Sequence, residues 1–393
     1  MIVLSINEPL GSSEITQKSV NKIPHNKLFF TPIFFVKFYQ NSLRFLTKKG
    51  EIMKQFFLLL TGIFWMVNFS FAQPEIKDAK EKFNKAVDYI AEEDFDQAIY
   101  NLNAAINTDP KFEEAYLERG KIHLIKQHKE AAINDFDKAI KYGKKTGEAY
   151  FYKGYLHFEE NEFANAIENL TLAIQSGYKK PKAYYFRGIA YHKSKDYSNA
   201  ILNFTLAIDK KYDFFHAYHD RATSKLKKGD YQGAVKDYTT ALKYNSGSAF
   251  TYNNLGNAYL NISDFQKAIE NFTQAIKKDP NYAEAYLNRG NAKNNLEHYK
   301  EALSDYRKAI EIKSDYVQAM NNIGIVFLKQ KEFKRAVESF TRAIKKDQKL
   351  GEAYLNRGLA WENTGKFKKA CKDWKFAREL GVEQAEEYLK DCE

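Results

Sequence analysis

Cysteine is nearly absent: Cys371 and Cys392 are the only two among 393 residues, which leaves room for at most one bridge. The chain has no HExxH, no phosphate-cradling glycine loop and no GxSxG. Metalloprotease, nucleotide-binding and serine-hydrolase chemistries therefore lack their usual anchors, and neither an enzyme nor a cofactor is expected. Charge of one sign is not concentrated either. The formal net charge is +11, but residues 1–73 hold eight Lys/Arg against three Asp/Glu, which leaves +6 on the rest. That excess is scattered, often as pairs near helix ends such as Lys277-Lys278 and Lys345-Lys346, where it complements the helix dipole. Without a basic stripe, nucleic acid is not an expected partner.

What the chain does have is a period. Gly120, Gly154, Gly188, Ala222, Gly256, Gly290, Gly324 and Gly358 lie 34 residues apart without a slip. Two alanine ladders keep the same step, from Ala98 to Ala370 and from Ala105 to Ala377. Such a chain grows by stacking repeats, so its length measures repeat number and not domain count.

One repeat read physically is a helical hairpin. In Asn281–Ile312 the apolar and small residues fall at Ala285, Tyr286, Gly290 and Ala292, then at Tyr299, Ala302, Leu303, Tyr306, Ala309 and Ile310. That is helical spacing twice, interrupted at Glu297-His298. Small residues at a buried crossing let two backbones approach, and aromatics fill the space around them. Tyr286 and its equivalents precede the small residue, while Phe272, Tyr306, Phe340 and Trp374 follow it. The aromatic content of 15% thereby becomes core and not a base-stacking surface.

These ladders resemble the tetratricopeptide repeat, whose 34-residue pattern runs aromatic, Gly, aromatic, Ala, Phe, Ala, Pro. The resemblance covers about four fifths of the chain, as nine repeats over 79–384 beginning near Ala79, Glu113, Gly147, Pro181, Phe215, Ala249, Ala283, Val317 and Gly351. It implies an all-α fold, a right-handed α-solenoid of tandem hairpins acting as a protein-binding scaffold. The closing proline is kept only at Pro110 and Pro280, so several repeat junctions are expected to be looser. The first repeat departs too, with Ala86 for the glycine, as suits a capping unit.

Ahead of the repeats, Met53-Lys54-Gln55, the run FFLLLTGIFWMVNF and Ser70-Phe71-Ala72 read as a secretory signal peptide over 53–72, with cleavage leaving Gln73 first. On this reading residues 1–52, which carry no repeat or motif, are an upstream extension. In a longer form the same segment is a signal anchor. Both place the repeats outside the cytoplasm, in the periplasm, cell envelope or medium, without membrane insertion of the repeats themselves. Cys371 falls where other repeats place Ile133, Ile167, Ile201 or Ile269, and Cys392 ends a capping helix expected from about Val382 through 385–393. An exported chain with an even cysteine count favours a bridge, two reduced thiols being the alternative. The segment from Ala370 to Cys392 also resembles the closing unit of exported tetratricopeptide proteins from Bacteroidetes-type bacteria.

Asparagine marks the later first helices. Asn254, Asn288, Asn322 and Asn356 form a further ladder, with Asn257 and Asn291 on the same helices. In arrays of this family first helices line the groove, so the resemblance implies that these amides face a partner. A side-chain amide offers a donor and an acceptor, as a peptide bond does, and can hold an extended segment. The arrangement is similar to the asparagine ladder in the repeats of O-linked N-acetylglucosamine transferases. The family's carboxylate clamp is not matched, because Glu284, Gln318 and Glu352 stand where its cations should be. The expected partner is a protein or an extended peptide. The alternatives are an envelope glycan or peptidoglycan, whose hydroxyls the same amides could meet, and, more distantly, a metal-dependent site at His216 and His219. That pair lacks further ligands at helical spacing, so no metal is expected.

Overall fold

Each 34-residue stretch carries two amphipathic helical runs separated by a turn of two or three residues. The computed structural model describes residues 76–144, 146–210 and 215–392, and regular structure among them is entirely helical. These residues fall into two compact units that part between Tyr178 and Lys179. The first unit holds three helix pairs: α1 (76–91) with α2 (Phe95–Thr108), α3 (Glu113–Ile125) with α4 (Lys129–Tyr142), and α5 (Gly147–Glu159) with α6 (Phe163–Gln175). The second opens with α7 (Pro181–Lys193) and α8 (Tyr197–Lys210), α9 (Phe215–Lys228) and α10 (Tyr231–Tyr244), α11 (Ala249–Asn261) and α12 (Phe265–Lys278). It continues with α13 (Ala283–Asn295) and α14 (Tyr299–Ile312), α15 (Val317–Lys329) and α16 (Phe333–Lys346), α17 (Gly351–Asn363) and α18 (Phe367–Glu379). A short α19 (Ala385–Leu389) and the 3-10 turn Lys390–Cys392 close it. Within each unit the hairpins stack in chain order, as in an α-solenoid. The expectations for 1–52 and 53–72 lie outside the described residues.

The turn inside each hairpin repeats as faithfully as the helices. One residue every 34, from Glu93 and Gln127 through Glu297 and Lys331 to Gly365, sits at a φ between 59 and 88°. After α13 the Glu297 N–H reaches Asn294 O at 3.2 Å and the His298 N–H reaches Lys293 O at 2.9 Å, so two end carbonyls are satisfied. The next helix often starts on a side-chain cap: Asp94, Asp230 and Asp264 accept from the backbone N–H three residues on.

Between the helices of a pair, glycine meets an aromatic ring. A Cβ on Gly256 or Gly290 would lie 2.6 Å from Phe272 or Tyr306, far inside van der Waals contact. Those rings, with Phe136, Phe204 and Phe340, are completely buried.

At two junctions that lack the closing proline the preceding Asp or Asn still makes the turn. Asp279 Oδ1 accepts from Asn281 N–H at 3.0 Å before a helix that follows proline. Asn245 does the same for Gly247 at 3.0 Å, and Asp347 for Lys349 at 2.9 Å, with no proline present. The capping helix begins later than the expected Val382. Gly381, at φ +86°, ends α18, and the Val382 N–H donates back to Ala377 O at 3.0 Å. Val382 thus completes the cap of α18, and α19 starts at Ala385.

Candidate partner-binding surface

The asparagine ladder sits on α11, α13, α15 and α17, where the helical turn returns position 254 and its equivalents to one face in each repeat. Asn254, Asn257, Asn288, Asn291, Asn322 and Asn356 are all partly exposed, and none is fully open to solvent. They are not equivalent. The Asn288 amide donates to Asn253 Oδ1 of the preceding repeat at 3.1 Å, and buried Asn253 donates to Glu284 Oε1 at 3.3 Å. One repeat later Asn322 donates to Asn291 Oδ1 at 2.7 Å, which also accepts the Tyr306 hydroxyl at 2.9 Å. Asn254 lies against the Tyr238 hydroxyl. These amides tie repeats together before they can meet anything else. Among the described residues, the side chains of Asn257 and Asn356 make no hydrogen bond, unlike those of the other four. Nearby, the Asn294 and Asn321 side-chain oxygens are buried without a partner.

A second ladder escaped the reading of the sequence. Arg119, Arg221, Arg289 and Arg357, each just before or beside the small-residue position, clamp Asp135, Asp237, Asp305 and Asp373 sixteen residues on through paired hydrogen bonds of 2.6–2.9 Å. The third nitrogen reaches back to the previous hairpin, to Asn103, Thr205, Thr273 or Thr341, and Arg187 makes a weaker version with Asn203. The acids are almost fully buried. Each guanidinium also lies 5.4–5.5 Å from the tyrosine ring three residues earlier on its own helix. The signal was available as a 34-residue covariation: where Leu255 and Ile323 replace the arginine, Asn271 and Ser339 replace the aspartate.

Of the histidine pair, His219 is committed to the interior of the fold. His219 is buried and bonds Thr251 Oγ1 through Nδ1 at 2.9 Å. Burial, and secondarily the neighbouring His216, push its pKa down to about 4. Asp220 accepts the Tyr185 hydroxyl at 2.7 Å, and burial pushes its carboxyl up to about 6. Among the described residues no three His, Cys, Asp or Glu side chains come together as a metal site. At the far end Cys371 and Cys392 are joined by a disulfide with Cα atoms 5.7 Å apart. It lies beside Trp374, whose ring stacks on Tyr388 at 5.2 Å, and beside buried Ala385 and Leu389. No helix among the described residues is long and apolar enough to cross a membrane.

Comparison with known proteins agrees with this architecture. Tetratricopeptide repeat families match residues 83–141, 126–177, 153–212, 249–282 and 280–349, and a TPR repeat family matches 224–263. No curated protein is significantly similar in sequence. Among solved structures, the C-terminal part of a TPR repeat-containing protein from Cytophaga hutchinsonii is 20% identical, with a TM-score of 0.50 over 61% of this chain and 99% of that one. A tetratricopeptide repeat protein from Parabacteroides merdae is 16% identical, with a TM-score of 0.43 over 64% and 99%. MamA is 29% identical, with a TM-score of 0.38 over 42% and 96%. The chain belongs to the tetratricopeptide repeat family, an α-solenoid of tandem hairpins that serves as a protein-interaction scaffold.

Proposed function

We propose that this protein is an exported scaffold of a bacterial cell envelope that holds a peptide or protein segment against the first helices of its last four repeats. The observation that carries this reading is the division among the asparagines. Asn288 and Asn322 are held in place by Asn253 and Asn291, while Asn257 and Asn356, partly exposed, have both amide groups unused among the described residues. Fixed amides beside unused ones form a pre-ordered surface on which a peptide group can find a donor and an acceptor at little entropic cost. Export is supported by the pattern of residues 53–72 and by the cysteine bridge, a bond that persists in oxidising compartments.

Side-chain amide resonances of Asn257 and Asn356 test the reading. They should shift on titration with proteolysed envelope protein and stay still with soluble peptidoglycan fragments. Shifts with the glycan alone would replace the peptide reading by the glycan one. Sequencing the N-terminus of the protein recovered from the envelope should give Gln73, and recovery only from the cytoplasm would contradict export.

A further inference from the structure

In one repeat the arginine of the ladder has left the first helix and the aspartate is gone as well. Between α14 and α16, Ile323 stands where Arg289 and Arg357 stand in the flanking repeats, Ser339 stands for Asp305 and Asp373, and Arg307 for Thr273 and Thr341. The guanidinium has moved from the first helix to the second, and its carboxylate is gone. Other departures differ from this one: Arg187 keeps its place on the first helix and donates to Asn203 at 2.8 Å. Lys153 takes an arginine position and meets Asp137 at 2.7 Å, while Leu255, Thr239 and Asn271 hold the three equivalent positions with no charge in the set.

At the Ile323 position lies a cavity of about 250 Å³, floored by Ile323 and Phe327 and rimmed by Arg307, Arg335, Arg342 and Glu338. Arg335 pairs with Glu332 and covers the Phe327 ring at 4.0 Å. Arg307 and Arg342 are exposed and make no ion pair or hydrogen bond within the described residues. Two cations thus face a pocket that lacks the carboxylate present at the same place in the flanking repeats.

We propose that this pocket, on the second-helix side of repeats seven and eight, binds an acidic side chain next to an aliphatic one on a partner protein. The incoming carboxylate takes the place of the missing aspartate against Arg307 and Arg342, and the aliphatic group covers Ile323. Size points the same way: the cavity falls below the roughly 300–1,000 Å³ typical of small-molecule sites and suits one or two side chains. Glu338 at the rim can accept a peptide N–H of the same partner segment.

The test is fluorescence anisotropy of a labelled peptide of alternating glutamate and leucine, against its glutamine–leucine counterpart. The acidic peptide should bind saturably and the glutamine peptide should not. Arg307→Gln with Arg342→Gln should weaken binding about tenfold or more. The triple change Arg307→Thr, Ile323→Arg, Ser339→Asp rebuilds the arrangement of the flanking repeats and should abolish binding while leaving the helical circular dichroism intact. Should the triple variant lose its fold, the arginine pair decides, since both side chains are on the surface. The proposal is overturned by no binding of the acidic peptide, by equal binding of both peptides, by unchanged binding to either variant, or by displacement of the peptide by inorganic phosphate at lower concentration.

Discussion

Arg289 grips Asp305 through two parallel hydrogen bonds, Nε to Oδ2 at 2.9 Å and Nη2 to Oδ1 at 2.7 Å, and its remaining nitrogen reaches Thr273 at 3.1 Å. One side chain thereby ties α12, α13 and α14, and Lys293 adds a further bond to Asp305 at 2.7 Å. Asp305→Ala leaves two largely buried cations without their acid and should cost about 3 kcal/mol in urea denaturation. A loss below about 1 kcal/mol would mean that solvent already screens the cluster.

Gly290 and Tyr306 occupy the same few ångströms, so Gly290→Ala must push a fully buried ring aside. The expected cost is about 1–3 kcal/mol, read from the denaturation midpoint. An unchanged midpoint would show that the hairpin opens freely at this crossing.

Lys331 holds a left-handed conformation, φ 61°, at a position where Gly365 serves in the next repeat. Lys331→Gly removes the Cβ strain but adds unfolded-state entropy, for a net gain of about 0.5–1 kcal/mol. Glu297→Gly should behave alike, and the two gains should add. A fall in melting temperature for both would contradict this account of the turns.

The Cys371–Cys392 bond closes a loop across 21 residues over α18 and α19. Its removal by Cys392→Ser should lower stability by about 3 kcal/mol and raise hydrogen exchange of α19 first. Exchange in α19 that does not change would show that stacking of Trp374 on Tyr388 suffices.

His219 and Asp220 give opposing pH dependences. His219 is held to about 4 in the fold against an ordinary 6.5, so its contribution is present above 6.5 and is lost as pH falls towards 4. Asp220 is raised to about 6 from 3.8, so the fold resists its ionisation and stability falls as pH rises through that window. The two slopes largely cancel between about pH 4 and 6. Asp220→Asn keeps an acceptor for Tyr185 and removes one slope. It should be more stable than wild type at pH 7 and should lose stability on acidification at up to about 1.4 kcal/mol per pH unit. Parallel profiles for the two proteins would contradict the assignment.

The fold was legible because the period makes every repeat report on the same contacts. Gly256 with Phe272 and Gly290 with Tyr306 follow from size alone, as one helix crossing can hold either a side chain or a ring. The left-handed turn residues were less visible, since Glu297 and Lys331 carry no glycine signature and only their place between two helical runs marks them. The arginine clamps were written in the sequence as a covariation of positions sixteen apart, hidden because charged residues on helices usually face solvent. For the candidate surface, the positions of the asparagines could be read but not their bonds. Whether Asn288 faces a ligand or Asn253 depends on side-chain geometry between repeats, which spacing does not encode.

The most direct measurement of the central claim is crosslinked capture from native cell envelope, comparing wild type with Asn257→Ala/Asn356→Ala, two changes that break no side-chain hydrogen bond among the described residues. The account predicts a peptide or protein partner crosslinked to α11–α17 in wild type and lost in the equally stable variant. A partner retained in full by the variant would contradict binding at this asparagine surface.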